Sequence, residues 1–142
     1  MLINDEIAEL FNDSLDRCKR NPSFLKNFYA RFFRSSPEIP LHFKATNMQR
    51  QVEMLEASFY MIMAASQSPN ASQEYLGHSA TAHQQRNISP HLYDLWLESL
   101  IATVAETDAK YDKNIENAWR TVMGTGIEYM KTHVNPQPDA QQ

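Results

Sequence analysis

An all-α domain is what this sequence predicts, and three features carry the prediction. Only three glycines occur in 142 residues, too few for a sheet joined by many tight turns. Leu, Met, Ala, Glu, Gln and Arg fill the long periodic segments, and these side chains lose little rotamer freedom in a helix. Within those segments the apolar positions recur at helical spacing. The length suits one domain, 1–134, followed by a polar, frayed tail, 135–142. A formal charge of −4 without a basic stripe gives no support to nucleic-acid binding. The single cysteine, Cys18, excludes an internal disulfide framework, fits a reducing compartment and reads as a small core residue. Met1 to Glu6 lacks the charged start and apolar core of a signal peptide. No window approaches the roughly 18 apolar residues that span a bilayer. The cytoplasm is therefore the expected location, with no membrane partner.

The elements follow in order. Residues from Asp5 to about Cys18 place Ile7, Leu10, Phe11, Ser14 and Leu15 on one helical face, capped by Asn4 or Asp5. Lys19 and Arg20 suit its C-terminal end, where the helix dipole favours cations. Asn21 as cap and Pro22 in the first turn open a second helix, Ser23 to about Ser35. On it Leu25, Phe28, Tyr29 and Phe32 form one stripe. The phenylalanines suit a core, but the Tyr29 hydroxyl needs a partner when buried. Ser35-Ser36-Pro37-Glu38 begins a short helix that Pro40 interrupts ahead of Leu41-His42-Phe43. Thr46 caps a long helix running to about Ser66, with Met48, Gln51, Leu55, Ser58, Phe59 and Ile62 on one face. Met54, Met61 and Met63 read as adaptable core filler. Gln67 to Ser72 is turn chemistry, and Ser72 to Gln84 is a modest helix carrying His78 and His83. Pro90 starts an amphipathic helix with Tyr93, Trp96, Leu97, Leu100, Ile101 and Val104. Asp108 to Asp112 links it to a last helix with Ile115, Trp119, Val122, Gly126, Tyr129 and Met130 inward.

The chemistry concentrates at Thr81 to Tyr93. His83 stands near the end of a helix, with Ile88 five residues on, Pro90 seven and Tyr93 ten. A neutral imidazole acting as a metal ligand needs a dry, helix-lined slot. This pattern resembles the proximal-histidine corner of bacterial globins. Phe28-Tyr29, Phe33, Pro37-Glu38 and Phe43 are similar, in order and spacing, to flavohaemoglobins and single-domain bacterial haemoglobins. Thr46 to Gln51 also looks like the globin domains of bacterial globin-coupled sensors. The resemblance spans Ser23 to Met130. It implies the globin fold, a three-on-three helical sandwich around haem, with His83 as the proximal iron ligand. The implied haem pocket is lined by Tyr29, Phe43, Gln51, Leu55, Phe59, His83, Ile88, Tyr93 and Leu97. Without a Cys-x-x-Cys-His motif the haem b would be held noncovalently.

Within that resemblance Tyr29 points at the bound gas from the distal side, and Gln51 is its neighbour. A register placing Glu53 there stays open, although Gln51 puts Leu55, and not Ala57, over the iron. His78 lies five residues before His83, about 500 degrees round a helix, so the two cannot face one iron together. His78, His42, His91 and His133 read as surface residues or as supports behind the pocket lining. Tyr93 is placed to orient the His83 ring. The implied function is reversible binding of oxygen, and of NO and CO, without turnover. Two alternatives share the pocket: a gas sensor that signals to a separate partner protein, and an NO dioxygenase served by an external reductase. Flavohaemoglobins support their histidine with a late-helix glutamate. Counted from Trp119 the matching position here falls near Val134, and Glu128 comes nearly two turns early. Monomer and homodimer remain equally open.

Overall fold

The structure, a computed structural model, describes residues 4–67 and 89–133, and every regular element among them is a helix. The first, α1 (Asp5–Lys19), begins where the Asn4 side chain accepts the Ile7 amide at 2.8 Å, one of the orphan donors of a helix start. It buries Ala8, Phe11, Ser14, Leu15 and Cys18. Cys18 is wholly enclosed, and burial pushes its thiol up to about 12, so it remains a protonated core residue. The second helix, α2 (Phe24–Arg34), opens one step later than expected. Ser23 is its N-cap, while Asn21 accepts the Ser23 amide at 2.9 Å. Asn21 and Pro22 thus form a turn ahead of the helix and not its first residues.

The short α3 (Glu38–His42) contains Pro40 instead of ending at it. In the first turn a missing N–H costs nothing, because that donor has no partner within the helix. Asn47, and not Thr46, caps α4 (Met48–Gln67), its side chain accepting the Arg50 amide at 3.1 Å. The methionines of α4 also divide. Met63 is buried, whereas Met54 and Met61 are 57% and 47% exposed, so those two are not core filler. Beyond Pro90 run α5 (His91–Thr107) and α6 (Lys113–His133). The expected helix from Ser72 to Gln84 and the tail after Val134 lie outside the described residues, as do the Tyr129 and Met130 side chains.

The packing is helix on helix: α1 on α6, α2 on α5, and both α4 and α5 on α6. Trp119 of α6 sits where these layers meet, with no exposed surface. The rings of Phe11, Phe24 and Phe59 meet it edge-on at 4.7, 6.5 and 5.7 Å, an arrangement that aromatic quadrupoles favour. Ion pairs also fasten the helices from outside. Arg31 reaches Glu106 at 2.8 Å, and Arg120 grips both oxygens of Glu98 at 2.7 and 3.0 Å.

One buried polar chain was not evident in the sequence. The indole N–H of Trp119 donates to Ser14 Oγ at 2.9 Å, and Ser14 donates to Asp108 Oδ2 at 2.6 Å. Arg17 donates to both oxygens of the same carboxylate at 2.6 and 3.0 Å, and the Lys110 amide adds a bond at 2.9 Å. Burial alone would raise the Asp108 pKa, but the bonds from Arg17, Ser14 and Lys110 outweigh it and hold the carboxyl below its ordinary value. A depressed carboxyl stabilises the fold above its unfolded pKa, and that stability is lost as pH falls through the folded one. Acid unfolding of the native chain should accordingly set in below the ordinary aspartate range, and Asp108→Asn should flatten the pH dependence there. Ser14→Ala leaves a buried indole donor unpaired and should cost about 1–2 kcal/mol at neutral pH. Urea titrations at several pH values check both outcomes. A Ser14→Ala protein as stable as the native one would show that the Trp119 bond is energetically idle.

Candidate functional site

Tyr29 is the polar group on an otherwise apolar stripe, and the chain closes around it. It is 5% exposed. Its ring meets Phe28 of its own helix at 4.9 Å, Phe33 one turn on at 5.9 Å and Phe43 at 6.0 Å. Phe43 is delivered by the end of α3, where its amide donates to the Pro40 carbonyl at 3.1 Å. Phe33 and Phe43 also touch, at 5.2 Å. Each such pair contributes about 0.5–1.5 kcal/mol beyond simple burial, so the phenol is held by a rigid aromatic frame. Phe33 belongs to this frame. Its spacing of four from Tyr29 was the available signal for it.

The hydroxyl itself has a partner. Burial pushes the Tyr29 phenol up to about 12, and a hydrogen bond with the Gln51 side chain pulls the other way. Gln51 is thus the polar neighbour of the buried hydroxyl. Gln51 stands in the first turn of α4, its amide donating to Asn47 at 3.0 Å. Glu53 is exposed, so of the two residues the sequence offered for this place, Gln51 is the one beside Tyr29. Leu55, one turn further, is buried, and Phe59 is fully enclosed with its ring on Trp119.

Two more of the residues expected in the pocket lie on α5. Tyr93 is buried one turn after Pro90, and burial pushes its phenol up to about 12. Leu97 follows one turn later, half-buried. His91 lies at the surface, its Nε2 3.6 Å from Glu38 of α3. His83 and Ile88 lie outside the described residues, and so does His78. The structure thus brings Tyr29, Phe43 and Gln51 together, sets Leu55 on the same helix as Gln51, and carries Tyr93 and Leu97 on the neighbouring α5.

The order of helices and a buried Tyr29 beside Phe43 and Gln51 agree with the resemblance drawn from the sequence. The globin family's profile matches residues 26–130. The chain belongs to the globin family. This globin is also similar to a solved structure, that of PA3967 from Pseudomonas aeruginosa PAO1, described as structurally highly homologous to a human haemoglobin. The two are 34% identical with a TM-score of 0.85, over 92% of this chain and 99% of the other. Curated proteins give no match. Globins are haem proteins, and the geometry of this one can be asked whether it suits such a group. A flat apolar cofactor with a polar ligand on one face needs greasy walls and one neutral donor. Phe43, Leu55 and the Tyr29–Gln51 pair are of that kind.

Proposed function

We propose that this globin holds haem b noncovalently through His83 and reversibly binds oxygen, and also NO and CO, on the face turned toward Tyr29. The observation that carries the reading is the Tyr29 hydroxyl. It is buried, neutral at any physiological pH, and stands beside the Gln51 side chain. On the other face His83 would be the iron ligand, with Ile88, Tyr93 and Leu97 beside it. Tyr93 is suited to fix the imidazole orientation, as partners of metal-bound histidines do. Phe43 and Leu55 would wall the distal side, with Phe59 backing Leu55 from the core. Ferrous haem, when bound, supplies an open coordination position for a diatomic gas.

The protein's own contribution is a dry slot with one aimed donor. Tyr29 favours a polar ligand over an apolar one, because a hydrogen bond gains strength where water cannot compete. Gln51 keeps the phenol in place and is a second donor at reach. Gas binding without turnover is the function this pocket supports by itself. Sensing through a separate partner and NO dioxygenation with an external reductase would use the same residues. Nothing in the pocket singles either out. We place the globin unit at 1–134 and the protein in the cytoplasm. Among the described residues no helix is long and apolar enough to cross a membrane.

The absorption spectrum decides the matter. Protein purified and supplemented with haem should show a Soret band, and its ferrous form should carry the signature of five-coordinate histidine ligation. A chain that takes up no haem under these conditions would sink the proposal.

A further inference from the structure

The charge of this chain is unevenly spread. Residues 17–52 hold eight of the thirteen Lys and Arg but a single one of the seventeen carboxylates, Glu38. That stretch is +7 in a chain whose net charge is −4. Four of its cations are paired: Arg17 with Asp108 at 2.6 Å, Lys19 with Glu56 at 3.2 Å, Arg20 with Asp16 at 3.3 Å, and Arg31 with Glu106 at 2.8 Å. Lys26, Arg34, Lys44 and Arg50 are exposed and meet no carboxylate among the described residues.

Their positions share a theme. Lys26 is exposed near the start of α2, whereas Arg34 at its end lines a groove with Leu95 and Glu98 of α5. Lys44 directly follows Phe43, and Arg50 directly precedes Gln51, so both flank residues of the Tyr29 pocket. Leu41 of α3 lies within the same stretch and is 68% exposed, more than any other large apolar residue described. A lone bare leucine among unpaired cations matches the anatomy of a charge-steered interface, with an apolar centre and a polar rim. A merely solvated face would mix the two signs.

We propose that the corner made by α2, α3 and the start of α4 docks an acidic electron-donor protein, with Leu41 at the centre of the contact and Lys26, Lys44 and Arg50 on its rim. Charge complementarity selects an acidic partner. That the partner carries electrons rests on the haem reading: iron that loses an electron to oxygen must regain one from outside, and the cations border the pocket. A nucleic acid fits less well. The one exposed large aromatic residue described, Tyr60, has its ring covered by Lys19, so the corner offers no base-stacking platform.

The test is calorimetric titration of the haem-supplemented full chain with a purified acidic flavodoxin, at low and at high salt. Lys44→Glu with Arg50→Glu should weaken binding at least tenfold at low salt and far less at high salt, since exposed charges are screened. Leu41→Ser should weaken it several-fold at both. Lys110→Glu, a reversal outside the corner, should leave it unchanged. Absence of flavodoxin binding, equal losses in Lys110→Glu, or a single-stranded oligonucleotide that binds more tightly than the flavodoxin would each overturn the proposal. Absorption spectra of the same samples report haem uptake separately, so failure of the haem reading is distinguishable from failure of the docking surface.

Discussion

Replacing His83 with alanine is expected to abolish stable haem coordination, while His78→Ala leaves it intact. Only His83 satisfies the spacing to Ile88, Pro90 and Tyr93. The later part of that spacing has a structural basis. Pro90 is the N-cap of α5, and Tyr93 is buried in its first turn, with its amide donating to the Pro90 carbonyl at 3.1 Å. His78 stands five residues before His83 in the sequence and misses that spacing. Without the proposed His83 ligand, haem would be held by apolar contact alone, so the change should be all-or-none in the spectrum and not a graded shift. Ferrous spectra of the two variants, recorded at equal haem, measure it. Loss of histidine ligation in the His78 variant alone would overturn the assignment.

How far the sequence could be read depended on the range of the interaction. The stripe of Leu25, Phe28, Tyr29 and Phe32 was legible because a helix repeats every 3.6 residues and the stripe needs no knowledge of its partner. All four are buried. Gln51 and Glu53 were harder to separate. They lie about 200 degrees apart on α4, and which of them turns inward depends on where α3 hands over the chain. The structure starts α4 at Met48 behind the Asn47 cap, and that sets Gln51 toward Tyr29. Thr46 and Asn47 are both competent caps, so sequence alone left the choice to the path of the backbone.

Asp108 was illegible for a different reason. A carboxylate in a link between helices looks solvated. Nothing local announces that Ser14 and Arg17, more than ninety residues earlier in the chain, turn toward it. Met54 and Met61 erred the other way, because methionine tolerates either side of a helix and only its neighbours decide. Long-range polar pairing and the outer faces of helices were therefore where reading from residues stopped.

Tyr29→Phe should quicken oxygen release by roughly ten- to a hundredfold and barely alter the release of carbon monoxide. The substitution keeps the ring, and hence the contacts with Phe28, Phe33 and Phe43, and removes only the donor. A hydrogen bond to a charged acceptor is worth about 1.5–3 kcal/mol, and each 1.4 kcal/mol is about tenfold in an equilibrium constant. Oxygen bound at the proposed haem would carry partial negative charge and would feel the whole of that loss. Carbon monoxide is far less polar. Burial holds the phenol neutral up to about 12, so the ratio between native and variant release rates should stay flat from mildly acidic to mildly alkaline pH. Gln51→Leu should have a smaller effect on oxygen, because it removes a neighbour of the Tyr29 hydroxyl and leaves the phenol proton in place. Stopped-flow release of both gases from both variants separates these roles. If Tyr29→Phe changed oxygen and carbon monoxide release equally, Tyr29 would be shaping the pocket and not bonding to its contents.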